Sequence, residues 1–259
     1  MTTLAPPAHP PPPSSPLDLP AVAFFGRSLA EYTQFFDLDV PALRGRDVLD
    51  VAGGPSSFAA EACARRINAV AVDPLYGRAS ADLAARVTAD YRRMFAQIRS
   101  KPSLFRLNGS GRPTRGDGLA APGFPSFGAA EADRRGAAGR FLADYETNYL
   151  YGRYVGGTLP RLPFFDGTFD LVLCAHLLFT YAARFDFDWH VAACRELVRV
   201  SAGEVRIHPL CGTDGRPYSG LARLRKELRV SGIKSEVVAV DYEFFVGSTS
   251  MLVLRRNAP

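Results

Sequence analysis

The chain has 259 residues, of which 47% are hydrophobic and 22% are charged. These values are ordinary for a globular protein, so they exclude a fibrous chain, a disulfide-rich miniprotein and a largely disordered one. No segment approaches roughly 18 uninterrupted apolar residues, so the sequence predicts no membrane-spanning helix. The formal net charge is +5, and among the 31 basic residues only Lys101, Lys226 and Lys234 are lysines.

The beginning of the chain predicts a tail, not a folded segment. Residues 1–20 contain eight prolines and one charged residue, without the basic and apolar regions of a signal peptide. We therefore expect a disordered proline-rich tail, a single domain over residues 21–259 and a cytoplasmic protein. The four cysteines form no CxxC pair and no histidine completes a zinc site, which indicates core thiols in a reducing compartment and no metal site.

The first part of the predicted domain alternates strands and helices. Ser28 and Glu31 have the spacing of a capping box at the start of a short helix. A strand, a small-residue turn, a helix and a second strand follow, namely Arg46–Val51, Ala52–Pro55, Ser57–Arg66 and Ala69–Val72. Asp73 comes directly after the second strand. This order of elements is the beginning of a doubly wound α/β fold.

Residues 77–153 interrupt the alternation and predict a helical insert after the second strand. Ala79–Arg99 has the pattern of an amphipathic helix, Lys101–Gly128 that of a long surface loop, and Glu131–Leu150 that of another helix. Between Arg78 and Arg140, twelve basic residues stand against five acidic ones. The positive charge of the chain is therefore concentrated in the insert.

The remaining sequence predicts five strands and two helices. The strands are Tyr154–Gly156, Phe169–Ala175, Glu204–Ile207, Val237–Val240 and Ser250–Leu254, and the helices are Asp188–Arg199 and Tyr218–Val230. The short link between the last two strands favours antiparallel pairing.

The turn after the first strand indicates a nucleotide site. Its small residues let a ligand approach the backbone, and the following helix offers free N–H groups. Asp73, about 20 residues further on, is placed to accept both ribose hydroxyls. The GxGxxG frame of dinucleotide sites is absent, because Ala52, Gly54 and Ser57 occupy its three glycine positions.

The same segment resembles motif I of the class I S-adenosylmethionine-dependent methyltransferases, an acid followed by GxGxG. Asp50 matches the acid, whereas Ala52, Gly54 and Ser56 stand at the glycine positions. Asp73 matches the ribose-binding acid of that family. The departure at two of three glycines leaves the shape of the turn open.

Later segments extend the resemblance, in the order of the family's motifs, from Asp47 to Pro209. Thr158–Phe164 resembles the loop whose backbone reads the adenine, Phe169–His176 the fourth strand, and Arg195–Val200 the helix-to-strand segment that follows. Cys174–Phe179 and Glu204–Leu210 further resemble a group of uncharacterised bacterial methyltransferase-like proteins, and this likeness names no substrate.

The resemblance implies a fold and a cofactor. The fold is α/β, a Rossmann-like doubly wound, mostly parallel seven-stranded sheet with an antiparallel last strand and a helical insert after strand 2. The cofactor is S-adenosylmethionine. The residues implied to bind it are Asp50, Ala52, Gly53, Gly54, Pro55, Asp73, Pro74, Thr158, Leu159, Cys174 and Ala175.

Candidate residues for the chemistry follow from the rule that ligands of open α/β sheets bind at the carboxyl ends of the strands. His176 and Tyr181, after the fourth strand, are candidate catalytic residues, and structural packing is the alternative for both. Arg27 and Tyr32 of the leading helix are expected to fold over the cofactor. Candidate substrate-binding residues are Tyr151, Arg153, Tyr154 and His208.

Three functions remain open from the sequence. The first is methyl transfer to a small molecule, for which the basic insert makes an anionic acceptor a reasonable hypothesis. The second is an RNA or protein methyltransferase that uses the insert as an electrostatic contact surface. The third is a methyltransferase-like protein that binds without turnover. The Asn/Asp-Pro-Pro-Tyr/Phe tetrad of base-amino methyltransferases is absent after the fourth strand, and the oligomeric state stays open.

Overall fold

The computed structural model describes residues 16–19, 21–107 and 123–257. Most of the predicted tail and the centre of the predicted loop Lys101–Gly128 lie outside these ranges. Within them, one sheet contains seven strands: β1 (Asp47–Val51), β2 (Asn68–Asp73), β3 (Tyr154–Gly156), β4 (Phe169–Ala175), β5 (Ser201–His208), β6 (Ile233–Ala239) and β7 (Ser250–Arg256).

The strand order is β3-β2-β1-β4-β5-β7-β6. The first five strands in this order pair in parallel, and β7 pairs antiparallel with both β5 and β6. The expected Rossmann-like sheet with an antiparallel last strand is therefore confirmed. The order of the strands reverses between β1 and β4, because β1 is followed by β2 and β3 on one side and by β4 and β5 on the other. At such a switch point the connections diverge and leave a crevice beyond the carboxyl ends of the strands.

Six α-helices cover the sheet within the described ranges: α1 (Leu29–Phe35), α2 (Phe58–Cys63), α3 (Ser80–Ser100), α4 (Phe127–Asn148), α5 (Phe187–Val200) and α6 (Leu221–Val230). Successive strand residues point to opposite faces, so β1 divides its apolar side chains between two cores. Val48 packs with residues of α1 to α4, and Leu49 and Val51 pack with residues of α5 and α6. None of these helices combines the length and apolar character needed to cross a membrane.

The helical insert after strand 2 is confirmed as α3 and α4. The predicted stripe of α3 is buried, and Leu83, Tyr91 and Phe95 are almost inaccessible. On α4 the buried stripe runs through Ala130, Ala138, Phe141 and Tyr145, and it also contains Arg134. The insert therefore packs on the sheet as a second layer of one domain core, with an arginine inside that layer.

A segment that precedes α1 crosses the carboxyl edge of the sheet, and we call residues 22–27 the cover segment. Its backbone N–H groups donate to three side chains, one after β4 and two on α3: Ala23 to the Tyr181 hydroxyl at 2.9 Å, Phe24 to Asp90 Oδ2 at 2.8 Å and Gly26 to the Tyr91 hydroxyl at 3.1 Å. Side chains from the insert and from the loop after β4 therefore fix its path.

The cover segment also binds the turn that follows β1. The Arg27 carbonyl accepts from the Ser57 N–H at 3.1 Å and from the Ser56 hydroxyl at 2.7 Å. Gly26 lies so close to the turn that a Cβ atom there would be 2.1 Å from the Pro55 carbonyl oxygen. Only glycine lets the two backbone segments approach this closely.

We predict that Gly26→Ala destabilises the protein by about 1–3 kcal/mol, because the added methyl group forces two backbones apart. Gly139→Ala is the matched control, since Gly139 lies on the exposed face of α4 with nothing within 4 Å of the added Cβ. That substitution should be neutral or stabilise by about 0.5–1 kcal/mol. Urea unfolding of the three proteins measures both effects, and equal stability of Gly26→Ala and the parent would contradict the close approach.

Candidate active site

The turn after β1 is tight, although only one of the three glycine positions of the motif holds a glycine. Ala52 has φ +58° and Gly54 has φ +55°, so both occupy the left-handed region. An alanine there carries a modest strain that larger side chains would increase. Gly53 donates to the Val72 carbonyl at 3.2 Å, and a Cβ on it would lie 2.8 Å from Asp50 Oδ2.

Asp50 lies beneath this turn and does not face open space. It is fully buried, and its Oδ1 accepts from the Tyr32 hydroxyl at 2.9 Å. Its Oδ2 has no hydrogen-bond partner among the described residues. Burial raises the pKa of Asp50 to about 8, against the opposing effect of the Tyr32 hydrogen bond. Asp50 and Tyr32 therefore support the turn from inside the core.

Asp73 ends β2 with its carboxylate next to the turn. Oδ2 accepts from the Gly54 N–H at 3.1 Å, and Oδ1 accepts from the Leu75 N–H at 2.9 Å. Burial raises the pKa of Asp73 to about 6, although the two backbone hydrogen bonds and Arg86 act in the opposite direction. Each oxygen keeps a second lone pair, so the carboxylate can still accept hydrogen bonds from a ligand.

A cleft opens at this edge of the sheet and divides into two chambers. Both chambers are lined by Ala52, Asp73 and Leu177 of the strand ends and by Val22 and Ala23 of the cover segment. The β3-side chamber encloses about 760 Å³, part of it open to solvent, and its further walls include Pro74, Leu75, Thr158, Leu159 and Trp189.

The second chamber lies towards the insert, and we call it the insert-side chamber. It encloses about 880 Å³, again including space open to solvent. Its polar walls are Arg27, Asp73, Arg134, His176, Thr180, Tyr181 and Tyr242. Its apolar walls include Leu17, Leu19, Met94, Ile98, Phe105 and Phe245.

His176 faces the insert-side chamber from the end of β4. Its backbone has φ +51°, and its N–H donates to the His208 carbonyl at 2.6 Å. Burial and the nearby Arg27, His208 and Arg134 lower the pKa of His176 well below its usual value, so the imidazole is neutral. Its Nε2 has no partner among the described residues. His176 therefore offers a neutral ring nitrogen to a ligand.

Two other residues predicted around the site have structural contacts. His208 is buried, stacks on the Phe35 ring at 4.8 Å, and pairs through Nε2 with the Ser248 carbonyl at 2.9 Å. Burial lowers the pKa of His208 to about 3. Tyr181 lines the insert-side chamber, but its hydroxyl already accepts from the Ala23 N–H, which makes it an anchor of the cover segment.

Several predicted site residues lie away from the cleft. Tyr151, Arg153 and Tyr154 precede or begin β3, and because parallel strands start at the opposite edge of the sheet, these residues are on the far side. Arg153 pairs with Asp144 at 2.5 Å, Tyr154 donates to the same carboxylate at 2.7 Å, and Tyr151 is exposed. Of the predicted cofactor residues, Gly53, Pro55 and Cys174 are also buried outside both chambers, whereas Ala175 lines the insert-side one.

Arg134 is the functional candidate that sequence reasoning missed. It is 2% exposed and pairs through Nη2 with Glu31 Oε1 at 2.5 Å. Its guanidinium lies 5.2 Å from the Phe25 ring centre and 5.0 Å from that of Phe244. The available signal was its position on the apolar stripe of α4, where a charged residue is unexpected.

Glu31 also shows how the predicted capping box departs from the usual form. Ser28 caps α1 by accepting from the Glu31 N–H at 3.4 Å, as expected. The Glu31 side chain, however, does not return to the cap; it binds Arg134 and accepts from the Tyr242 hydroxyl. The carboxylate therefore joins distant parts of the chain.

Comparison with known proteins shows a relative at the sequence level. No protein-family model matches the chain. An uncharacterised protein of Methanocaldococcus jannaschii is 28% identical over 240 residues, which cover 93% of this chain and 99% of that protein.

The similar solved structures are distant. A TehB-like SAM-dependent methyltransferase from Corynebacterium glutamicum is 13% identical, with 89% of this chain and 88% of that chain covered and a TM-score of 0.45. The 1,6-didemethyltoxoflavin-N1-methyltransferase from Burkholderia thailandensis is 14% identical, with 88% and 79% covered and a TM-score of 0.42.

The pKa of Asp50 predicts a pH dependence of stability. The folded state keeps the Asp50 proton up to about pH 8, whereas the unfolded chain loses it near pH 4. The stabilisation present at low pH is therefore lost as the pH rises towards 8. Between pH 6 and 8, over which Asp73 completes its ionisation, the parent should lose up to about 1.4 kcal/mol per pH unit relative to Asp50→Asn.

Urea unfolding at pH 6, 7 and 8 measures this difference. Asp47→Asn, an exposed substitution in the same strand, is the control and should follow the parent at every pH. Parallel pH profiles of the parent and Asp50→Asn would show that the buried carboxyl does not hold its proton.

Proposed function

We propose that the protein is an S-adenosylmethionine-dependent methyltransferase that acts on a small molecule. The observation that carries the proposal is the position of Asp73. Its carboxylate binds the turn after β1 through the Gly54 N–H and faces the point where the two chambers meet. The resemblance of the sequence motifs assigns the same acid to the ribose of the cofactor.

The residues of the β3-side chamber fit the adenosine part of this cofactor. Asp73 supplies the acceptor for the ribose hydroxyls, and the backbone around Thr158 and Leu159 supplies polar groups for an adenine edge. Leu75 and Trp189 give apolar walls that suit a flat base. When bound, the cofactor supplies an electrophilic methyl group on a sulfonium.

The rest of the cofactor would extend past Ala52 and Gly54 into the insert-side chamber. Arg27 is fixed beside the turn through its carbonyl, and its side chain lines this chamber. A guanidinium in this position suits the carboxylate of the cofactor's amino-acid part. The cover segment then excludes water from the centre of the cleft, and His176 offers a neutral nitrogen that can accept a proton or hydrogen bond from the methyl acceptor.

The RNA-binding alternative receives less support from the insert. Within the described part of the insert, several arginines are engaged in ion pairs: Arg86 and Arg93 with Asp90, Arg99 and Arg135 with Glu131, and Arg140 with Glu61. Arg134 is buried within the fold. A small acceptor inside the insert-side chamber therefore fits the charge distribution better than a polyanion on the surface.

We predict that the protein binds S-adenosylmethionine and that Asp73→Asn weakens the affinity at least about tenfold, because hydrogen bonds from the ribose to a charged acceptor are lost. Isothermal titration calorimetry measures the affinity. Asp82→Asn, an exposed change in the first turn of α3, is the control and should bind like the parent. Absence of binding by the intact protein would refute the proposed cofactor.

Turnover is tested separately from binding. Incubation with S-adenosylmethionine and the small-molecule fraction of a cell extract should release S-adenosylhomocysteine, as measured by mass spectrometry. Binding without release in any fraction would instead support a non-catalytic role.

A further inference from the structure

The insert-side chamber contains polar atoms that lack partners. Four of its wall residues have a buried side-chain atom without a hydrogen bond to any described residue: Arg27 Nε, Arg134 Nε, His176 Nε2 and Thr180 Oγ1. Buried polar groups in native proteins are nearly always satisfied, so a group of exceptions in the walls of one chamber needs an explanation. Three of the four belong to groups that donate hydrogen bonds, which points to a ligand rich in acceptor oxygens.

The charges around this chamber point the same way. Arg27 and Arg134 share one buried carboxylate, that of Glu31, whose Oε1 is 3.9 Å from Arg27 Nε and 2.5 Å from Arg134 Nη2. Glu31 does not line the chamber, whereas both arginines do, and Asp73 lies in its wall at the border with the β3-side chamber. Asp133, the next acid on α4, hydrogen-bonds Ser28 and also lies outside the chamber walls.

The charges already present limit the kind of anion. If Arg27 holds the carboxylate of the cofactor, Arg134 is the guanidinium left for the acceptor, and it already pairs with Glu31. Its ring neighbours Phe25 and Phe244 exclude water from it, which strengthens its attraction for an anion. A singly charged carboxylate adds less uncompensated charge to this apolar surrounding than a doubly charged phosphate would.

The remaining walls of the chamber are apolar. They come from the N-terminal residues, from α3 and from the segments before α4 and β7, namely Leu17, Leu19, Met94, Ile98, Phe105 and Phe245. Leu17, Phe105 and Phe245 also pack together as a small cluster of their own. Several aromatic walls favour a flat hydrocarbon body.

We propose that the acceptor is an aromatic carboxylic acid, with its carboxylate bound by Arg134 and Thr180 and its ring system against the apolar walls. The inference rests on the proposed function in calling this molecule the methyl acceptor. The binding site for an aromatic carboxylate is argued from the residues of the chamber and does not depend on that function. The inference names the substrate class of the insert-side chamber, with His176 close to the bound molecule.

The test compares two probes of the same shape, 2-naphthoate and its neutral amide 2-naphthamide, by calorimetry on the full chain saturated with S-adenosylhomocysteine. The naphthoate should bind at least about tenfold more tightly, because the ion pair with a buried guanidinium is lost in the amide. Arg134→Gln should abolish this preference. Arg135→Gln, the next residue on α4 and half-exposed in a pair with Glu131, is the matched control and should retain it.

Arg134→Gln leaves Glu31 buried without its ion-pair partner, so the double variant Glu31→Gln/Arg134→Gln takes its place in the same measurement if the single variant does not fold. Thr180→Val should weaken naphthoate binding without reducing that of the amide. Equal affinity of the two probes for the parent protein would overturn the proposal, whatever the variants do.

The outcome with S-adenosylhomocysteine separates this proposal from the proposed function. If the nucleoside competes with the naphthoate, both arginines serve the cofactor and the acceptor assignment is wrong. If it does not bind at all while the naphthoate preference persists, the methyltransferase proposal fails and the carboxylate site stands.

Discussion

The buried ion pair between Glu31 and Arg134 is the contact on which the arrangement of the cleft depends. It joins α1, which follows the cover segment, to α4 of the insert, and Tyr242 of the link between β6 and β7 donates to the same carboxylate. Removing one partner would leave a buried charge without compensation, which typically costs about 3–5 kcal/mol. Three segments far apart in sequence thus meet at one carboxylate and together enclose the insert-side chamber.

The sheet and the cover segment above the cleft are held in place by different kinds of interaction. The strands are held by a continuous ladder of backbone hydrogen bonds and two apolar cores, so the carboxyl edge of the sheet is a rigid platform. The cover segment is held by hydrogen bonds from its backbone to the side chains of Tyr181, Asp90 and Tyr91, and by the burial of Phe24 and Phe25 against rings of the insert. The cleft therefore lies between the rigid carboxyl edge of the sheet and a cover segment whose position depends on a few individual side chains.

Much of the fold could be predicted from the sequence because buried parallel strands are short apolar runs, and Phe169–Ala175 is a clear example. The positions of Ala52, Gly54, Asp73 and His176 also followed, since each comes directly after a strand that ends at one edge. Arg134 could not be ranked among many arginines, because its burial depends on where α4 packs and on a partner 103 residues away.

The positions of Tyr151, Arg153 and Tyr154 show why nearness to a strand in the sequence does not by itself locate a site residue. Their proximity to a predicted strand suggested a site, but they come before β3, and the residues before a parallel strand lie at the amino edge of the sheet. The direction of the strand therefore mattered more than the distance along the chain. His208 ends β5, at the correct edge of the sheet, yet the ring of Phe35 covers it. Strand ends locate a cleft, and only packing decides which of their side chains reach it.

The course of the chain at the ends of the described structure has a practical meaning. Leu17 and Leu19 are part of the wall of the insert-side chamber, whereas β7 runs antiparallel to β5 and brings Arg256 to the edge of the sheet away from the cleft, against Val198. A label, tag or surface linker attached directly ahead of residue 16 would thus start beside the wall of the insert-side chamber, while one attached after residue 257 would be remote from it. For immobilisation with the cleft facing solution, the carboxyl end of the chain is the appropriate point of attachment.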